Sequence, residues 1–370
     1  MLKEKIQNLF FYTKIKALYK KHERQAIPAM LVLGFVADVV TFRSIDLGLA
    51  FVLLAVHIFL VGVAIAFINI YDTHWANAPG KIISYLRILA PLAMQFSFGA
   101  LFSAAFIFYT FGGVFSVSWP LIILVFFLMA SNEIFKQSYL KPSVQISAFF
   151  FVLFTLSALV LPYIFNSISP WIFILAGIVS LLFITAGVYF LSQKIPIIKA
   201  QQKKLAWQIA AIFLFMNGLY FLNIIPPVPL SLRDGGVYHK VALAGREYNL
   251  SSEKQSFWQK IIPGRTVSVV NGSPIYVFTA VFSPADLNTQ IVHHWQKYDE
   301  ELGEWASMKK LSFMILGGRK EGYRGYSVSS NVAPGKWRVY VETKRGQVLG
   351  KVSFEVKRAE TAPETEVVIR

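Results

Sequence analysis

Residues 205–236 read LAWQIAAIFLFMNGLYFLNIIPPVPLSLRDGG, and the character of the chain changes inside them. The stretch 205–225 is predominantly apolar and about as long as the ~20 residues a helix needs to cross a bilayer core. Pro226, Pro227 and Pro229 then end it, because proline fixes its own φ and lacks the N–H that continues a helix. A proline-rich segment is extended and stiff, so 226–235 reads as a spacer, closed by Asp234, Gly235 and Gly236. Everything before this junction is rich in Phe, Leu, Ile, Ala and Val, and everything after it has the mixture of a soluble domain.

Working back from the junction, seven apolar runs appear, at about 26–42, 47–70, 87–111, 113–131, 143–165, 171–191 and 205–225. They predict a transmembrane helical bundle of about seven spans over 25–225. Within the runs, small residues recur four apart, as in Ala93 with Ser97, Gly99 with Ser103, and Ala176 with Ser180. That spacing lets helix backbones approach closely. Residues 1–24 predict a basic amphipathic segment, with Leu2, Ile6, Leu9, Phe10, Ile15 and Leu18 at helical spacing among seven Lys and Arg. Such a segment suits an anionic cytoplasmic leaflet. It is too charged for a cleavable leader, so the first span is expected to be an uncleaved anchor.

Charge orients the bundle. Lys81, then Lys136 and Lys141, then Lys194, Lys199, Lys203 and Lys204 occupy one alternate set of connections. The other set, near 43–46, 112 and 166–170, holds Arg43 alone. Basic residues accumulate on the cytoplasmic side, so the amino end is expected there. An odd number of spans then places the C-terminal domain outside, which in a Gram-negative cell is the periplasm.

Only 15% of the chain is charged and its mean hydropathy is +0.52, against about 25% charged for a soluble domain. The net charge of +16 divides into 16 Lys and Arg against 6 Asp and Glu up to Ile225, and 20 against 14 beyond it. The basic residues are dispersed along the spans and no nucleic-acid module is visible, so nucleic acid is not an expected partner. The chain has no cysteine, which excludes disulfides, thiolate metal sites and cysteine nucleophiles.

Downstream, residues 236–358 alternate and turn like a small all-β domain. Asn271-Gly272 is a hairpin signal. Ile275, Val277, Thr279 and Val281 alternate with Tyr276, Phe278, Ala280 and Phe282. Pro334-Gly335 fits a type II turn, after which Trp337, Val339 and Val341 face opposite to Arg338, Tyr340 and Glu342. Seven or eight short strands at this spacing predict an immunoglobulin-like sandwich, followed by a disordered tail at 359–370.

The order His293-His294-Trp295, Gly322-Tyr323-Arg324-Gly325-Tyr326-Ser327, Gly335-Lys336-Trp337-Arg338-Val339, Gly346-Gln347-Val348-Leu349 and Phe354-Glu355-Val356 resembles the bacterial domain of unknown function 2914. The early segments Gly34–Asp38 and Arg43–Asp46 also look like the amino-terminal part of multi-span proteins that end in that domain. The resemblance implies a bacterial inner-membrane protein and implies no activity.

Trp295, Tyr323, Arg324, Tyr326, Trp337 and Arg338 are the candidate binding residues. Rings offer platforms for sugars, and arginine pairs with carboxylates or phosphates in a bidentate way. The competing reading is that most of these aromatics fill the core. Among them Arg324 is the strongest, because its charge is costly to bury. Asp38, Arg43 and Asp46 form a candidate polar cluster at the membrane rim, with a tight-turn network as the competing reading. His57, Gln95 and Asn217 are the intramembrane polar candidates, where ionisable and polar groups are costly and often functional. Adjacent strand residues point to opposite faces, so His293 and His294 cannot share one metal site, and no metal or cofactor is expected. No catalytic motif is present: there is no phosphate-cradling loop and no Gly-x-Ser-x-Gly elbow.

The expected function is a membrane-anchored binding protein that presents a periplasmic β-sandwich to an anionic glycan, a lipid head group or an envelope protein. Two alternatives stand beside it. One is a transporter or channel with the β domain as a regulatory cap, and the other is a membrane enzyme acting on lipid-linked substrates.

Overall fold

The computed structural model describes residues 33, 36, 47–77, 80–111, 115–134, 141–254, 265–283, 287–316, 322–330 and 332–370. The amphipathic segment 1–24, nearly all of the first apolar run, and Asp38, Arg43 and Asp46 lie outside the described residues. A helical region comes first and a sheet-rich region follows. The helices are α1 (Leu47–Ile70), α2 (Lys81–Phe111), α3 (Phe115–Ile134), α4 (Pro142–Ile164), α5 (Pro170–Lys194), α6 (Pro196–Ala200) and α7 (Gln202–Phe221). Among the described residues five helical stretches are long and apolar enough to cross a membrane: Gly48–Trp75, Lys81–Thr110, Pro142–Ile164, Pro170–Lys194 and Gln202–Phe221. The α3 region contributes a shorter apolar piece, Val117–Leu128.

The chain divides into two compact units. One comprises Met1–Phe108, Pro120–Leu161 and Ser169–Leu219, and the other Tyr109–Trp119, Pro162–Ile168 and Tyr220–Arg370. In the first, aromatic rings and small residues make the helix contacts. Gly177 of α5 lies against the Phe154 and Phe213 rings, which leave no room for a Cβ. Phe154 packs on Phe173 and Phe213 at centroid distances of 5.3 and 5.8 Å. Ser180 of α5 donates to Ser157 of α4 at 3.1 Å. Ala176, Ser180, Ser97 and Ser103, flagged by their four-residue spacing, are all buried. Just beyond α1, a π-helical turn, Tyr71–Trp75, carries Asp72, and Arg87 of α2 grips that carboxylate with two hydrogen bonds of 2.8 Å.

The second unit contains β1 (Ser231–Tyr238), β2 (Lys240–Ala244), β3 (Glu247–Glu253), β4 (Arg265–Val269), β5 (Ile275–Phe282), β6 (Thr289–Asp299), β7 (Glu304–Ile315), β8 (Tyr323–Ser329), β9 (Gly335–Thr343), β10 (Val348–Arg358) and β11 (Thr365–Ile369). They form three sheets, ordered β1-β5-β8, β4-β10-β9-β6-β7 and β11-β3-β2. Alternation explains the layering. Val237, Ile275 and Val277 from the first sheet share a core with Trp295, Trp337, Val339 and Phe354 from the second. On the opposite side of β5, Phe278 joins Tyr238, Val241 and Leu250, which fastens the third sheet to the back of the first.

Three sequence expectations change here. The segment 226–235 is a spacer only as far as Leu230, since β1 begins at Ser231 and pairs with β5. The tail 359–370 is not disordered: β11 pairs antiparallel with β3, Val368 packs on the third core, and Arg370 Nε donates to Asp234 Oδ2 at 2.6 Å. Asn271-Gly272 does not close a hairpin, because β4 pairs in parallel with β10 while β5 lies in the other sheet. The turn, with Gly272 at φ 85°, passes the chain from one sheet to the next.

Candidate binding face

The six predicted binding residues do not converge. Trp295 of β6 is fully buried and meets Trp337 and Phe354 edge-on at 6.4 and 6.1 Å. Trp337 is buried too, and its indole N–H donates to the Ala333 carbonyl at 2.8 Å. Tyr323 packs against the core cluster built around Leu230, Val281 and Ile291. Arg324, half-buried on β8, donates to the Arg246 carbonyl at 3.2 Å. Tyr326 is 43% exposed and leans on Tyr248 and Tyr276. Only Arg338 faces outward from the five-stranded sheet.

The intramembrane candidates are accounted for locally. His57 Nδ1 lies 3.2 Å from the Ser97 hydroxyl. Asn217 donates to the Phe213 carbonyl on its own helix. Gln95 is buried, and its Oε1 has no hydrogen-bond partner among the described residues. Another interhelical contact was not marked by the sequence: Asn69 of α1 donates to Gln145 Oε1 of α4 at 3.1 Å, while Gln145 Nε2 has no partner among the described residues.

The two adjacent histidines occupy opposite faces, as strand geometry requires. His293 is buried between the sheets. Its Nε2 lies 2.9 Å from Thr279 Oγ1 and its Nδ1 lies 2.8 Å from Ser327 Oγ. Ser327 also accepts the Trp295 indole N–H at 3.0 Å, and the Phe313 ring meets the imidazole edge-on at 5.0 Å. Two hydroxyls satisfy a neutral ring, and neither supplies a counter-charge for a protonated one. Burial therefore lowers the His293 pKa to about 4. His294 turns outward, with Nδ1 on Glu342 Oε1 at 3.0 Å and Nε2 on Ser307 Oγ at 2.7 Å. Among the described residues no group of three or more His, Asp or Glu side chains could hold a metal ion.

The outward face of the five-stranded sheet gathers what the sequence left scattered. β6 pairs with β9 so that Gln296 sits opposite Arg338, and with β7 so that Tyr298 sits opposite Trp305. Between Trp295↔Lys309 and Gln296↔Ser307 the pairing skips Met308, and this bulge in β7 puts Trp305 on the outward side while Lys309 stays inward. Arg338 Nε donates to Gln296 Oε1 at 2.7 Å. Its guanidinium carbon lies 4.1 Å from the Trp305 ring centroid and 4.9 Å from that of Tyr340. Tyr298 and Trp305 are themselves 5.2 Å apart, and Lys336 reaches over Tyr298 at 5.8 Å. Burial lowers the Arg338 pKa from its ordinary value, and the Tyr340 phenol opposes that effect. On the inward side of β7, Lys309 lies 4.9 Å over Trp295 and donates to the Val328 carbonyl, and burial lowers its pKa.

Tyr340 was legible from alternation along β9, since it shares the face of Arg338. Trp305 and Gln296 were not, because their place beside Arg338 depends on the register of three strands and on the bulge.

Similar solved structures include a β-glucosidase from Listeria innocua in complex with gluconolactone, at 11% identity and a TM-score of 0.19, covering 33% of this chain and 16% of that one. Another is the Pseudomonas fluorescens alkylpurine DNA glycosylase AlkC bound to DNA containing an abasic site analog, at 9% identity and a TM-score of 0.22, covering 82% of this chain and 97% of that one. At these scores neither likeness bears on fold or activity. No curated protein matches the chain. Residues 288–356, from the edge of β6 to near the end of β10, match the family described as a protein of unknown function (DUF2914).

Proposed function

We propose that this chain is a multi-pass protein of the bacterial inner membrane that uses its sheet-rich unit to bind a component of the cell envelope. In this reading about seven spans form the bundle, the amino end is cytoplasmic, and an immunoglobulin-like sandwich stands in the periplasm. Five long apolar helices support the membrane assignment, and lysine-bearing connections on one alternate set support the orientation. The observation that carries the binding role is the outward stack of Trp305, Arg338 and Tyr340. A soluble sheet face is usually lined by mobile charged side chains, whereas here a cation is held between two rings.

The experiment uses the absence of native cysteines. Ala244→Cys, at the exposed end of β2 beside its turn to β3, is treated with a membrane-impermeant maleimide in cells whose outer membrane alone is permeabilised. Labelling is expected. Failure to label until the inner membrane is opened would remove the envelope-facing role. In parallel, the detergent-purified protein is expected to be retained on isolated envelope material, and loss of retention in Arg338→Gln but not in Lys240→Gln, exposed on β2 of another sheet, would localise the face.

A transporter is the second reading. It rests on Gln95 Oε1 and Gln145 Nε2, which are buried in apolar helices and have no hydrogen-bond partner among the described residues. Solute flux into proteoliposomes that is unaltered by Gln95→Leu and Gln145→Leu would remove it.

A further inference from the structure

We propose that the Trp305–Arg338–Tyr340 stack is a preformed receptor for the carboxylate of an acidic saccharide; this inference rests on the binding role above and names its ligand class. An arginine on a sheet surface ordinarily samples many rotamers, and a ligand that pairs with it must first order it. Arg338 is already ordered. The Gln296 side chain holds Nε, and the rings of Trp305 and Tyr340 hold the guanidinium plane. Among the described residues no hydrogen bond engages either Nη, so the fork that pairs two parallel N–H groups with two oxygens stays open.

The charge of that fork has no internal answer. The acidic side chain nearest in the β9 pattern, Glu342, is paired with His294. Arg338 makes no ion pair among the described residues. Lys336, Lys351 and Lys310 on the same face are exposed and, with Arg338, outnumber Glu355, which lies opposite Lys336, so the balance of charge there favours an anion.

The surroundings select the kind of anion. A nucleic-acid or polyphosphate surface needs a track of several cations along a repeating backbone. Here one guanidinium, fixed by a hydrogen bond, lies against the Trp305 and Tyr340 rings, with Tyr298 next to Trp305. A ring presents a negative face, which suits the positively polarised C–H groups on one side of a pyranose. A planar carboxylate attached to that pyranose matches the guanidinium fork. An acidic sugar supplies both features in one residue.

The test uses the full-length protein in detergent and three probes: a tetramer of galacturonic acid, its fully methyl-esterified form, and inorganic phosphate. Calorimetry and tryptophan fluorescence report binding. The acidic tetramer is expected to bind, and the ester and phosphate to bind about tenfold or more weakly. Arg338→Lys, which keeps the charge but loses the fork, is expected to lower affinity about tenfold. Trp305→Leu should weaken the tetramer while leaving phosphate unchanged. Near-UV circular dichroism confirms that each variant is folded. Equal binding of acid and ester, or wild-type affinity in Arg338→Lys, overturns the carboxylate assignment. Phosphate binding as tight as the tetramer overturns the saccharide assignment in favour of a phosphate head group. If none of the saccharides binds while envelope material is still retained, the ligand class is wrong and the broader binding role stands. If the maleimide labelling fails, that role falls first.

Discussion

His293 sits where two sheets meet, with hydroxyls on both ring nitrogens and a phenyl edge beside it. Thr279, Ser327 and Phe313 contribute no charge, so the folded protein holds this imidazole neutral to about pH 4. In the unfolded chain the same group takes a proton near 6.5. The unfolded state therefore binds more protons between these values, and stability falls as pH drops from about 6.5 toward 4, with the full contribution present above 6.5. At about 1.4 kcal/mol per pH unit the loss is on the order of 3 kcal/mol. Thermal melts across this range should show the decline in the wild type and a flatter profile in His293→Gln. A neighbouring glycine is a second residue-scale constraint. The Phe313 ring covers Gly325 so closely that a Cβ would collide with it. Gly325→Ala should cost about 1–3 kcal/mol by overpacking, read as a lower melting temperature without loss of strand content. Gly322, at φ 96°, abuts the backbone of Ala280 and Val281 and tolerates no side chain. Much of the Gly-x-x-Gly-x-Ser pattern is thus architectural, with Ser327 holding both His293 and Trp295. The sequence showed these residue types in order, but it could not show that they serve the interior, because that depends on which strand lies opposite.

At the level of elements, the apolar runs translated directly. Six of the seven correspond to described helices, since length and hydropathy are local properties that survive any packing. Partner choice was less legible. Asn69 and Gln145 are 76 residues apart, and nothing in either helix marks the other as its hydrogen-bond partner. Removing Asn69 leaves the Gln145 amide with both ends unmatched, so Asn69→Leu should destabilise the bundle by about 0.6–1.7 kcal/mol. Adding Gln145→Leu should restore part of that loss, since removing both polar partners is cheaper than orphaning one. Unfolding in detergent titrated with a denaturing surfactant measures the cycle, and strictly additive effects would deny the bond a role. The Asn271-Gly272 turn misled for a related reason. Its backbone conformation is local and was read correctly as a turn, but whether flanking strands pair is decided by the sheets they join. The strands beyond the seven or eight expected are explained by a third sheet, whose β11 carries Val367, Val368 and Ile369 in a row and so shows no alternation.

Across the whole molecule, the composition changes from apolar to mixed near Pro226, between the last described helix, ending at Phe221, and the first strand, beginning at Ser231. Two cysteine positions test the proposed orientation as a pair. Lys203→Cys, exposed at the start of α7, should react with an impermeant maleimide only after the inner membrane is opened, whereas Ala244→Cys should react before. Identical accessibility at both positions would contradict a membrane crossing between them. The proposed binding face was half visible, through Arg338 and its alternation partner Tyr340, and half hidden in the strand register. The clasp between Arg370 and Asp234 has a practical corollary. It brings the last strand alongside the opening of the first, so the sheet-rich unit begins and finishes at one corner. A few residues of linker would join Arg370 to Ser231 into a continuous ring, and fresh ends could be opened at the solvent-facing Gly245 turn. The module is thereby suited to circular permutation, and a reporter grafted at Gly245 would disturb it less than one appended to Arg370.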